Sequence, residues 1–511
     1  MSMGQVIIVT GGDSVEAVYR YNPFCGVVYG NSTVVIDGGY VEHNVYGGGS
    51  MANVGRRVGE IINNTDASNS YALSWPAEVT MRRGTGYTDV SVSGNARIGY
   101  SGSDNGDIFG GARGTAGDRY EMARYSNVYS TTVTVNLPMP GGYDYTKTEK
   151  QIKNTVIKQY GTIVPLVAGS VYGGAENGQV VNSTSLTLTN GIVGHSLYGG
   201  GKGKGTYTSH HLKYKVADGV HAVDDDSTAV IYSLTAGKVF GNTAVTMTAG
   251  HVVRNIYGGG NLGSIGKGNY AGGVGDYSTA GYGERWPDGN TGMRDSLVNS
   301  GHAVVAVNGG YVGTLGSSKD GLPTGNVFGG ARGEAAPNDT KSPRYLYTPA
   351  YFLGYVNHTT VTIGSSVGSN ATPQIYGSVY GGGEDGHVRG NTVVTVNDGV
   401  IGCQYNATNI AKQGDISDKE NIQWKLRGNV FGAGSGLGQY TDKAGNLQYN
   451  NASGSVTDST VVFINGGQVA RNVYGGGSFA TVGPPKIPPI TVDPTYNQAH
   501  ARVRVAGGKI G

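Results

Sequence analysis

Cysteine, tryptophan, proline and charge are all scarce in this chain. Of 511 residues, two are Cys, three are Trp and 16 are Pro, and only 14% are charged, against roughly 25% charged residues in an average soluble domain. Lys plus Arg (37) and Asp plus Glu (35) nearly cancel. No basic stripe interleaved with aromatics is present, which excludes nucleic acid as a partner. Long apolar runs are also missing. The longest near the start is Val6-Ile7-Ile8-Val9, too short for a signal-peptide core, and no stretch approaches the roughly 18 apolar residues of a membrane span. Export is therefore expected to rely on a segment outside this chain. Cys25 and Cys403 lie far apart in sequence. In an elongated repeat architecture that separation is also one along the axis, so two free thiols are expected rather than a disulfide.

Glycine is abundant instead, with 91 residues, alongside 35 Tyr. The Gly has no third-position period, so the chain is not collagen-like. Hydrophobic residues make up 38% and cluster as β-branched runs, which argues against a disordered linker.

An apolar residue, an aromatic and a Gly recur along the whole length. The aromatics are Tyr29, Tyr46, Phe109, Tyr172, Tyr198, Phe240, Tyr257, Phe328, Tyr380, Phe431 and Tyr474. Both Tyr and Phe occupy the position, so the ring is expected to matter for stacking and the hydroxyl to be dispensable. Between these units lie alternating segments such as Thr132-Val133-Thr134-Val135, Thr392-Val393-Val394-Thr395-Val396 and Thr460-Val461-Val462-Phe463-Ile464. They read as strands with Val and Ile inward and Thr outward. Val6 to Gly12 likewise reads as a strand and corner opening a first coil. Each coil is then strand, Gly corner, short strand and aromatic-Gly corner, with about two principal strands. A dozen coils at ~4.8 Å make a rod of roughly 60 Å. The residue before the apolar-aromatic pair is often Asn or Ser, as at Asn44, Asn255, Ser170 and Ser196. These side chains serve either as a ladder along the axis or as simple turn formers.

A longer period overlies the short one. Tyr46, Tyr257 and Tyr474 close nearly identical segments, the Phe-Gly-Gly-Ala-Arg-Gly runs from Phe109 and Phe328 match one another, and Tyr172 and Tyr380 share Ser-Val-Tyr-Gly-Gly. The spacing between partners is nearly the same in every case. The division that follows is a first module over 1–216, a second over 217–458 and the start of a third over 459–511. The fold expected is all-β, a right-handed parallel β-helix or β-solenoid with long polar insertions.

Insertions in solenoids usually emerge on one face, which is often the binding one. Trp75, Trp286 and Trp424 all lie in such segments, as do Tyr120, Tyr125, Tyr143, Tyr145, Tyr270, Tyr277, Tyr282, Tyr345, Tyr347 and Tyr351. Exposed aromatics beside polar groups suit sugar rings, and equally anchor a loop on the rod. Arg113 and Arg332 occupy equivalent module positions, as binding residues or as corner fixings. Asp224-Asp225-Asp226 reads as a solvated acidic bulge, and His210-His211 as a surface pair without a partner at metal-ligand spacing. Gly272 to Asp276 falls short of a calcium-binding nonapeptide. Gly199 to Thr206 is glycine- and lysine-rich, but no Ser or Thr directly follows its Gly-Lys, so it is not a phosphate loop. No catalytic residue, metal site or cofactor is assigned.

With its Tyr-Gly-Gly-Gly and Phe-Gly-Gly-Ala-Arg-Gly corners and Thr-Val-Thr-Val strands, nearly the whole chain resembles large adhesin-like β-solenoid surface proteins of anaerobic gut bacteria. The resemblance implies a surface or secreted rod and carries no functional residues. Three functions fit. One is a structural or adhesive rod that meets a surface glycan or a host protein; another is a filament subunit associating end to end; the third is a polysaccharide-processing β-helix of the lyase or tailspike type, which would need clustered carboxylates on one face.

Overall fold

In the computed structural model the described residues are 5–11, 14–20, 26–55, 86–99, 105–114, 126–157, 164–204, 207–217, 220–231, 236–266, 300–314, 324–334, 353–365, 372–402, 427–436, 439–441, 445–449, 453–483 and 499–511. They form a parallel β-solenoid of ten coils. Each coil starts on a long strand: Ser32–Ile36, Tyr87–Ser93, Ser130–Asn136, Thr184–Asn190, Thr243–Met247, His302–Val307, His358–Ile363, Thr392–Val396, Thr460–Ile464 and Ala501–Val505 stack in chain order as coils 1 to 10. Two-residue strands after the Gly corner build a second ten-stranded sheet, from Tyr40–Val41 to Lys509–Ile510. A third, nine-stranded sheet runs from Val45–Tyr46 to Val473–Tyr474 and consists of the apolar-aromatic pairs themselves. The pairs are thus strands and not corners, and each of the first nine coils has three principal strands, not two. With ten coils the stack is roughly 45 Å long at ~4.8 Å per coil, shorter than the sequence count implies.

A fourth ladder of single residues precedes the long strands. Val180, Val239, Ile265, Val356, Val388, Val456 and Val482 bridge one another in parallel, and Val28 bridges Val54 at the other end. Two of the apolar-aromatic units, Val28-Tyr29 and Val239-Phe240, belong to this ladder and not to the ring-bearing sheet, and Tyr29 stands exposed.

The long strands alternate as expected, with one exception. Val133 and Val135, Val394 and Val396, and Val462 and Ile464 point into one continuous core that runs the length of the rod. The leading Thr also points inward. The hydroxyls of Thr88, Thr131, Thr184, Thr243, Thr359, Thr392 and Thr460 donate across the coil to the carbonyls of Gly110, Gly173, Gly199, Gly258, Gly381, Gly432 and Gly475, at 2.5–2.6 Å. An inward hydroxyl is tolerated because the glycine carbonyl satisfies it.

That glycine is required by close approach. A Cβ built on Gly258 would land on the carbonyl oxygen of Gly329 in the next coil, and one on Gly110 on that of Gly173. Backbones this close leave no room for a side chain.

Two sequence expectations change outside the coils. Of the run Val6 to Gly12, the described part, Val6 to Gly11, is not part of a coil. Gln5–Gly11 pairs antiparallel with Ser14–Arg20, which pairs with Tyr207–Ala217, itself antiparallel to Val220–Ile231. The segment after Lys202 is therefore half of a four-stranded antiparallel sheet. His210 and His211 stand opposite Thr228 and Ser227, and the register shifts where Asp225 pairs Lys213 and Val223 pairs Tyr214, so Asp224 is the bulged residue.

Candidate functional site

The ring-bearing sheet carries its aromatics outside the main core in a cluster of their own. Tyr46, Phe109, Tyr172, Tyr198, Tyr257, Phe328, Tyr380, Phe431 and Tyr474 form one unbroken stack, with centroids 4.7–5.1 Å apart and ring planes within 12°. Parallel in-register strands impose this spacing, so every ring meets the next face to face with the offset that π-systems favour.

Two polar ladders flank the stack. The residues two places before each ring, Asn and Ser in all coils but one, form the first, which resolves the choice between ladder and turn former. Asn44 Oδ1 accepts the Asp107 N–H, Asp107 Oδ1 the Ser170 N–H, Ser170 Oγ the Ser196 N–H and Ser196 Oγ the Asn255 N–H. Asn255, Asn326, Ser378 and Asn429 continue in the same way to Asn472. Each side chain thus bonds the backbone of the next coil.

The second ladder consists of the residues four places after each ring: Ser50, Arg113, Glu176, Lys202, Asn261, Arg332, Glu384, Ser435 and Ser478, joined coil to coil by single bridges at or beside these positions. It reaches two coils back toward the rings. The Tyr46 hydroxyl in coil 1 donates to Glu176 Oε2 in coil 3 at 2.5 Å, and the Tyr257 hydroxyl in coil 5 donates to Glu384 in coil 7. The intervening rings, Phe109 and Phe328, have no hydroxyl to compete. Asn44 and Asn255 each donate Nδ2–H to the same phenol oxygens, at 3.3 and 3.0 Å. The hydroxyl is therefore dispensable only in some coils.

The two expected arginines sit here. Arg113 Nε lies 3.6 Å from Glu176 Oε2, and Arg332 Nε lies 3.7 Å from Glu384 Oε2. Each thus pairs with a ladder carboxylate while its side chain stays about half exposed. Burial pushes the Tyr46 and Tyr257 phenols above the ordinary tyrosine range, so both remain neutral donors. In the first copy only, Lys202 Nζ adds contacts to Asp107 Oδ2 at 3.2 Å and Glu176 Oε1 at 3.7 Å. Lys202 thus bridges a pair of carboxylates.

A second constellation lies on the middle sheet, where the segment after Asn136 folds back over coils 4 to 7. Tyr143 Oη is 2.7 Å from His251 Nδ1, Tyr145 stacks on Tyr311 at 3.9 Å, and the Tyr376 hydroxyl donates to the Tyr145 carbonyl at 2.6 Å. Arg254 grips Glu149 Oε1 through Nε and Nη2 at 2.9 and 2.7 Å. Tyr143 and Tyr145 thus anchor this segment on the middle sheet. Burial depresses His251 to about 4 and His195 to about 3, so both are neutral.

Trp75, Trp286 and Trp424, the other loop tyrosines named above, both cysteines and the run Gly272 to Asp276 lie outside the described residues. The roots of their segments are described, and they do not share one face. The described stretches end after the fourth-ladder residues, at Gly55, Gly266 and Gly483, after the second-ladder positions in coils 2, 4, 6 and 8, and on either side of middle-sheet strands. Equivalent exits recur every four coils, as do Tyr46, Tyr257 and Tyr474 in coils 1, 5 and 9.

Sequence reasoning misses the second ladder, although Glu176 and Glu384, four places beyond equivalent tyrosines, carry the signal. Among the described residues no group of three or more His, Cys, Asp or Glu is arranged to hold a metal, and no helix is long and apolar enough to cross a membrane. No family model, curated protein or solved structure matches the chain.

Proposed function

We propose that this chain is a structural and adhesive rod of an extracellular or cell-surface assembly, in which the coil stack sets reach and the insertions meet a glycan or protein partner. The observation that carries this reading is the division of labour between rod and insertions. The carboxylates of the ladder, Glu176 and Glu384, are spent on coil-to-coil bonds to Tyr, Arg and Lys, so they bind the rod to itself. Two of the three Trp-bearing segments, by contrast, follow equivalent glycines, Gly55 and Gly266, four coils apart. Trp75 follows Gly55 at the same interval in sequence as Trp286 follows Gly266. A motif presented at a regular interval along a stiff rod suits multivalent contact with a repeating polymer. The resemblance to adhesin-like surface solenoids points the same way.

The test is a glycan array probed with the whole chain and with Trp286→Ala. Binding that is lost in a variant with unchanged circular dichroism supports the reading. Depolymerisation of an acidic polysaccharide by the purified chain would replace it with the enzymatic one, and concentration-dependent fibres under the electron microscope with the filament.

A further inference from the structure

The two copies of the ladders differ in charge at one pair of positions. Eight of the nine residues of the first ladder are neutral Asn or Ser, and the exception is Asp107 in coil 2. The second ladder holds a single lysine, Lys202 in coil 4. These two exceptions touch, with Nζ 3.2 Å from Oδ2. Their counterparts in the second copy, Asn326 and Ser435, are both neutral.

We propose that Lys202 and Asp107 are the site of an intramolecular amide cross-link, with Glu176 as the proton carrier. Three features support it. The amine-bearing Nζ and the Asp107 carboxylate are held in direct contact, 3.2 Å apart at Oδ2, so no encounter step is needed. The Asp107 side chain is only 6% exposed, and burial raises its affinity for a proton against the opposing pull of Lys202. The Ser170 N–H already donates to Asp107 Oδ1 at 2.8 Å, where negative charge develops when the carbonyl carbon is attacked. Glu176 Oε1 lies 3.7 Å from Nζ.

The step balances without any other reagent. A proton passes from the Lys202 ammonium through Glu176 to Asp107 Oδ2, leaving a neutral amine and a carboxylic acid. The Nζ lone pair attacks Cγ and forms the C–N bond. A second proton moves from nitrogen through Glu176 to the Oδ2 hydroxyl, the C–Oδ2 bond breaks, and water leaves. An ammonium and a carboxylate thereby become one amide and one water, and coils 2 and 4 are joined covalently. The inference does not depend on what the rod binds.

Intact-mass spectrometry of the whole chain tests it. The expected mass falls short of the sequence sum by one water, and proteolysis yields one branched peptide containing both Asp107 and Lys202. Lys202→Arg restores the full mass, and Glu176→Gln leaves the link unformed or incomplete. A full sequence mass in the unmodified chain overturns the proposal, as does loss of water with Asp107 and Lys202 recovered on separate peptides. Because the unmodified chain alone decides this, a variant that fails to fold does not blunt the test.

Discussion

Tyr46 donates its phenolic hydrogen to Glu176 two coils away, across the ring of Phe109, although the two are distant in sequence. Tyr257 and Glu384 repeat the bond across Phe328. Each such pair ties three coils together where backbone pairing alone ties two.

Glu384→Ala should therefore destabilise the rod by about 1–3 kcal/mol, because it strands a buried phenol and leaves Arg332 without its carboxylate. Tyr257→Phe, which removes the donor and keeps the ring in the stack, should cost about 1–2 kcal/mol on the same basis. Urea unfolding followed by circular dichroism gives both values. Equal stability of Glu384→Ala and the unmodified chain would show that the bond is idle.

The inward Thr makes a sharper contrast. Thr392→Val removes the hydroxyl that bonds Gly432 at 2.6 Å and should cost about 1 kcal/mol. Thr395→Val, on the outward side of the same strand, should stay within about 0.5 kcal/mol. The reverse order would mean that the strand is inverted.

Gly258→Ala should prevent the stack from closing, since its Cβ meets the Gly329 carbonyl. The readout is soluble yield and protease resistance. Gly141→Ala has open space around its Cβ and should behave like the unmodified chain.

Two buried groups give opposite pH signatures. His251, depressed to about 4 from 6.5, is neutral in the folded rod, so its contribution is complete above pH ~6.5 and is lost as pH falls toward 4. Thermal midpoints should drop over that window, and His251→Gln should flatten the drop, with His195 supplying the remainder. Asp385 is raised by burial to about 7 from 3.8, with Glu384 adding to the shift and the Ser453 hydroxyl opposing it. Its stability contribution is complete below pH ~3.8 and is lost as pH rises through 7. Asp385→Asn should thus gain most over the unmodified chain at pH 8 and lose that advantage by pH 4.

Much of this architecture is written in local pattern. Alternation along Thr460-Val461-Val462-Phe463-Ile464 predicts a half-buried strand, and the recurring ring predicts a stack, because both depend only on neighbours in sequence and on identical units lying above one another. The inward leading Thr escapes that pattern because a hydroxyl facing the core is satisfied by a glycine carbonyl elsewhere in the coil. Sequence alternation does not display that partner. Val6 to Gly11 is misassigned to a coil for a related reason. A strand-and-corner pattern does not say whether its neighbours run parallel or antiparallel, and part of its sheet is supplied by the distant strand Tyr207–Ala217.

By itself the sequence determined that the chain is a stack of β-coils, where glycine must stand, and that the pattern returns from Tyr46 to Tyr257 to Tyr474. Those properties follow from backbone sterics and from the period of apolar side chains. Only the tertiary structure decided that the coils build three sheets, that four coils make one period, and which hydroxyl meets which carboxylate. Insertions of unequal length separate the coils, so vertical neighbours bear no constant relation in sequence. A hydrogen bond needs its donor and acceptor within about 3 Å, and that distance exists only once the coils are stacked.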